Sequence, residues 1–100
     1  MRSFFAIAFA LSLAACGGGG DNESYPTFQA CFDDHHVNEG FNAMQAITIC
    51  TLDHPVNNVH LMFATAAECV TYVTANLSAG SATTAEIQAG CDDYINQKDK

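Results

Sequence analysis

Basic residues are scarce in this sequence. Three Lys+Arg stand against eleven Asp+Glu, a formal net charge of −8 over 100 residues. Nucleic-acid binding draws its affinity from basic side chains that displace phosphate counterions, so that partner class is excluded. Tryptophan is absent, and no apolar run reaches the roughly 20 residues that a permanent membrane helix needs. At 49% hydrophobic the chain is too apolar for disorder, and its length allows one domain. CxxC, CxxCH and the paired cysteines of zinc ribbons are all missing, which removes those redox, haem and zinc classes. There is no GxSxG elbow and no HExxH or HxxxH pairing, and Gly17 to Gly20 lacks the Lys and helix of a phosphate loop. No catalytic residue and no cofactor emerge, and the expectation is that the chain is not an enzyme.

What is present begins with an address. Met1-Arg2-Ser3 precedes an apolar stretch from Phe4 to Leu13 and a small-residue exit, Ala14-Ala15-Cys16, the order of a secretory signal peptide. Leu13-Ala14-Ala15-Cys16 resembles the lipobox of bacterial lipoprotein precursors. The resemblance implies a leader over 1–15, cleavage before Cys16 and lipidation of that cysteine. It also implies a cell-envelope location, with Gly17 resembling the choice that sends such proteins to the outer membrane. Residues 16–24, with four glycines and then Asp21-Asn22-Glu23-Ser24, read as a flexible tether. With Arg2 removed, the charge becomes 2 − 11 = −9, so the lipid rather than the protein surface holds the chain to the membrane.

The domain over 25–100 carries Cys31, Cys50, Cys69 and Cys91, an even number suited to two disulfides in an exported chain. Two capping boxes announce helices. Thr65-Ala66-Ala67-Glu68 opens one with Ala66, Cys69, Val70, Val73 and Leu77 on one face. Thr83-Thr84-Ala85-Glu86 opens another with Ile87, Cys91, Tyr94 and Ile95 on one side. Gly90 inside the second costs about 1 kcal/mol against Ala, which points to close packing there. Pro26 followed by Phe28, Cys31 and Phe32 predicts a short first helix. Between them, Ala46 to Leu52 is rich in β-branched residues, Val59 to Phe63 is short and apolar, and His54-Pro55-Val56-Asn57-Asn58 makes a turn. That pattern predicts a β-hairpin and an α+β domain, with four short helices as the all-α alternative. A hairpin favours the pairs Cys31–Cys91 and Cys50–Cys69.

The residues able to carry chemistry are Asp33, Asp34, His35, His36, His54 and His60. Imidazole and carboxylate suit zinc, copper or nickel. Against this, a helix end is an ordinary place for solvated polar residues, and His54 before a proline in a turn reads as exposed. The discriminator is geometric: a metal site needs His35 or His36 within a few ångströms of His54 or His60, with a carboxylate nearby. The leading expectation is a lipid-anchored, acidic interaction or structural module facing another envelope protein. A small-ligand or metal carrier is the alternative, and an inhibitor of a basic enzyme is a third reading that rests on charge alone.

Overall fold

The computed structural model describes residues 23–99. The expected leader, the expected lipobox cysteine Cys16 and the expected tether as far as residue 22 lie outside the described residues. Four α-helices run in chain order: α1 (Phe28–Asp33), α2 (Ala43–Asp53), α3 (Ala66–Asn76) and α4 (Thr84–Gln97). A π-helical turn, Asp34–Asn38, extends α1.

The expected helix starts are where the capping residues put them. Thr27 Oγ1 accepts from the Ala30 N–H ahead of α1, and Thr83 and Glu86 form a complete reciprocal box ahead of α4. At α3 the box is displaced by one residue. Thr65 Oγ1 accepts from the Glu68 N–H as expected, while the Glu68 carboxylate accepts from Ala64 N–H rather than from Thr65. In each case a side-chain oxygen satisfies a first-turn donor that has no partner within the helix.

The α+β expectation is overturned. Ala46 to Leu52 lies within α2, and the described residues contain no strand, only isolated bridges of Tyr25 and Val59 to Val56. The all-α alternative fits. Two features of α2 account for the correction. Asn42 and Gln45 make a capping box, Asn-x-x-Gln, that fixes the helix start. The helix also sits centrally and buries Ala43, Ala46, Ile47, Thr48, Cys50 and Thr51 around most of its circumference, which blurs the 3.6-residue period. The threonine hydroxyls that read as β-formers return to helix carbonyls instead: Thr48 to Met44 O and Thr51 to Ile47 O.

The turn itself is real. Val56 and Val59 exchange both backbone hydrogen bonds around Asn57 and Asn58, which sit at φ 52° and 66°. That is the two-residue geometry of a hairpin loop. Its arms do not extend into a ladder because the next segment is taken by α4. The Tyr94 hydroxyl accepts from Phe63 N–H, and Lys98 Nζ donates to Phe63 O.

The disulfides join neighbours in sequence, Cys31–Cys50 and Cys69–Cys91, in place of the expected Cys31–Cys91 and Cys50–Cys69. The expected pairing followed from the hairpin. With Cys50 on a helix packed against α1, its partner is Cys31, and the second bridge closes α3 onto α4. All four sulfurs belong to residues with no exposed surface, in a core shared with Phe28, Phe32, Ile47 and Val73.

Candidate metal centre

Two of the four histidines meet. His35 Nε2 lies 3.1 Å from His54 Nε2, with the ring centroids 4.9 Å apart. Both residues are buried, at 8% and 6% exposure. His54, expected in a solvated turn, is therefore part of the interior.

Each ring is placed by a specific piece of backbone. His35 follows Cys31 by four residues and so looks out on the same side of the first helix. It sits in the π-helical turn, where Glu39 N–H bonds Asp34 O and Gly40, at φ +84°, lets the chain reverse so that Phe41 N–H caps His35 O. His54 is the C-cap of α2. Its backbone is extended (φ −125°, ψ 123°), as expected before Pro55, and this turns the ring away from the helix. Tyr25 clasps this turn. Tyr25 N–H bonds Pro55 O, Asn57 N–H bonds Tyr25 O, and the Tyr25 ring packs edge-on to His54.

The hydrogen bonds fix the tautomers. His35 Nδ1 faces the Glu39 carboxylate at 3.0 Å, and His54 Nδ1 faces the Glu23 main-chain carbonyl at 2.8 Å. Both partners are acceptors only, so both Nδ1 atoms carry hydrogen. In the neutral rings both Nε2 atoms then present lone pairs to each other. Two acceptors at hydrogen-bond distance repel unless a positive species lies between them. That species is either a proton, which makes one ring an imidazolium donor to the other, or a metal ion. Metal-bound imidazoles show the same outer pattern, in which the second ring nitrogen donates to a carboxylate or a backbone carbonyl. Two nitrogens bound to one tetrahedral zinc at the usual bond length stand about 3.3 Å apart, close to the spacing here.

The surroundings favour a cation. Asp34 accepts from the Tyr25 hydroxyl at 2.7 Å and from Asn38 Nδ2 at 3.1 Å, and these bonds hold its carboxyl below the usual carboxylate range. Burial, followed by the Asp34 hydrogen bond, pushes the Tyr25 phenol upwards, so it remains a donor. A third potential ligand is close. One ligand atom each from Cys31, His35 and His54 lies within 4.8 Å of the others.

The remaining candidates, and the adjacent acids Asp92 and Asp93 of α4, do not join this cluster. Asp33 is exposed and accepts from Gln29. His36 donates Nδ1–H to Phe41 O. His60 is exposed and lines a separate groove with Leu52, Leu61, Met62 and Tyr94. Asp92 and Asp93 accept from Gln88 and Gln97, each four residues away along α4. Sequence reasoning missed Glu39 and the Glu23 carbonyl. Glu39, four residues after His35, carried a helical-spacing signal, whereas the backbone oxygen of Glu23 carried none. No protein-family model matches the chain, and no curated protein or solved structure shows significant similarity to it.

Proposed function

We propose that this is a lipid-anchored envelope domain that captures a divalent transition-metal ion between His35 and His54. The observation that carries the reading is the pair of Nε2 atoms 3.1 Å apart, each with its Nδ1–H already committed to an oxygen acceptor. Imidazole nitrogen suits zinc, copper and nickel. The role is binding rather than catalysis, since neither adjacent acid pair converges on the two rings. Asp34 is engaged by Tyr25 and Asp33 by Gln29, while the α4 acids pair along their own helix.

Anchoring at Cys16 fits this role. Six residues, and so seven Cα-to-Cα steps, lie between Cys16 and Glu23, whose carbonyl orients His54. A fully extended chain of that length spans at most about 25 Å, so the centre stays near the lipid surface. Labelling with radioactive palmitate is expected to mark the chain and to be lost in Cys16→Ala. A label that persists in that variant overturns the anchor.

Zinc titration by calorimetry at neutral pH tests the metal reading, on the Cys16→Ala chain with both disulfides intact. One ion per chain is expected. His35→Gln and His54→Gln each weaken binding at least about tenfold, because removing one of two nitrogen ligands leaves a single imidazole. His60→Gln, remote from the pair, leaves it unchanged. Absence of heat above dilution, or heat that survives His54→Gln, overturns the proposal.

A further inference from the structure

Two imidazoles supply only half of a tetrahedral coordination shell. A further ligand atom is at hand in Cys31: its sulfur and one ring nitrogen from each histidine all lie within 4.8 Å of one another, and Cys31 stands on the same helical face as His35. In this structure Cys31 is bonded to Cys50. A disulfide sulfur is a poor metal donor, whereas a thiolate is among the strongest for zinc and copper. The same sulfur therefore has two mutually exclusive uses.

We propose that the Cys31–Cys50 disulfide and a Cys31–His35–His54 metal site are the two states of one redox switch. This rests on the metal reading above and adds its regulation. The reductant is a dithiol. One of its thiolates attacks the disulfide, the second resolves the mixed disulfide, and two electrons pass to the protein. The products are an oxidised dithiol and the thiols of Cys31 and Cys50. On metal binding the Cys31 S–H proton leaves to solvent and the sulfur–metal bond forms, while Cys50 keeps its proton. Both cysteines are fully buried, so attack proceeds through local opening of α1. That helix is short: six residues before the π-helical turn. By linkage, the factor by which reduction tightens metal binding is the factor by which the metal favours the reduced state.

The second bridge carries no such site. The one group of three metal-ligating side chains among the described residues is Cys31, His35 and His54, so Cys69 and Cys91 serve only to join helices.

Two variants that lose the same bridge separate the roles. On the Cys16→Ala background, Cys50→Ser leaves the Cys31 thiol and Cys31→Ser removes it. Cobalt added to Cys50→Ser is expected to give a sulfur-to-cobalt charge-transfer band that zinc abolishes. Zinc affinity should exceed that of the disulfide-intact chain at least about tenfold, reflecting the added thiolate ligand. Cys31→Ser is expected to show neither effect. If loss of the bridge unfolds both variants, circular dichroism gives the answer: zinc restores helix in Cys50→Ser and not in Cys31→Ser. Equal behaviour of the two variants, with or without zinc, overturns the switch. So does a Cys50→Ser affinity no tighter than that of the intact chain. If the intact chain nevertheless binds zinc through His54, the metal reading survives that failure. If the intact chain is silent and Cys50→Ser binds, capture by the disulfide-intact chain is overturned while the switch stands, with the His35–His54 pair binding metal in the reduced state alone.

Discussion

Removing the Cys69–Cys91 bridge by the double change Cys69→Ala and Cys91→Ala is expected to destabilise the domain by about 3 kcal/mol. The bridge closes a 22-residue loop, and loop-closure entropy for that length gives this magnitude. The location makes the estimate meaningful. Of the eleven residues of α3, only Cys69 and Val73 are buried, so the helix has little apolar area with which to hold itself on α4. Alanine is the replacement because it introduces no hydroxyl at two fully buried positions. For a domain of this size, 1 kcal/mol shifts the melting midpoint by about 4–8 °C, so a fall of about 12–24 °C is expected by circular dichroism. Hydrogen exchange locates the effect. Amides of α3 should lose protection first, while α1 and α2 stay joined through Cys31–Cys50. A fall below about 4 °C would show that side-chain packing alone holds α3.

How much of this molecule was legible beforehand depends on how local the signal was. Two helix starts were readable because Thr65 and Thr83 stand beside the donors they satisfy, and a cap needs only a few residues of context; the first was signalled by Pro26 and the spacing of Phe28, Cys31 and Phe32. The helix over Ala43–Asp53 was not readable from periodicity, because a helix buried on most sides has no polar face to set the phase. Its Asn42–Gln45 box went unread, and the run Ile47-Thr48-Ile49 pointed towards a strand. The disulfide pairing then went wrong for the same reason, since connectivity follows from which elements are neighbours. The metal candidates show the same limit. His35 and His54 were among the right residue types, but 19 positions separate them. Only the C-cap geometry at His54 and the π-helical turn at His35 bring their rings to 3.1 Å. What orients His54, the carbonyl of Glu23, is a backbone atom that every residue carries, while the Glu39 carboxylate orients His35.

Gly90 is the position where a sequence expectation became a measurable distance, and Gly90→Ala is expected to destabilise the domain by about 2 kcal/mol. In an exposed helix the same change would stabilise by about 1 kcal/mol, because Ala loses less backbone freedom on folding. Here a Cβ at residue 90 would stand 2.7 Å from Ile47 Cγ2, 2.8 Å from Ile47 Cβ and 3.1 Å from the Met44 carbonyl oxygen. No rotamer change relieves this. Ile47 Cβ is fixed to the α2 backbone and the Met44 oxygen is backbone, so α2 and α4 must separate. Separation also lengthens the hydrogen bond from Thr48 Oγ1 to Gly90 O, now 3.3 Å, and loosens a core in which Ile47 is fully buried. Overpacking of this kind costs about 1–3 kcal/mol, and the rigidity of Ile47 Cβ and the Met44 oxygen places it at the upper end, offset by the gain in helix propensity. The melting midpoint should fall by about 8–16 °C. Truncating Ile47 does not rescue the variant, since Ile47→Ala keeps the offending Cβ and adds a cavity. The double variant Ile47→Ala/Gly90→Ala is expected to be less stable than Gly90→Ala alone. Rescue in the double variant would mean that the side chain, not the helix backbone, sets the approach of α2 to α4.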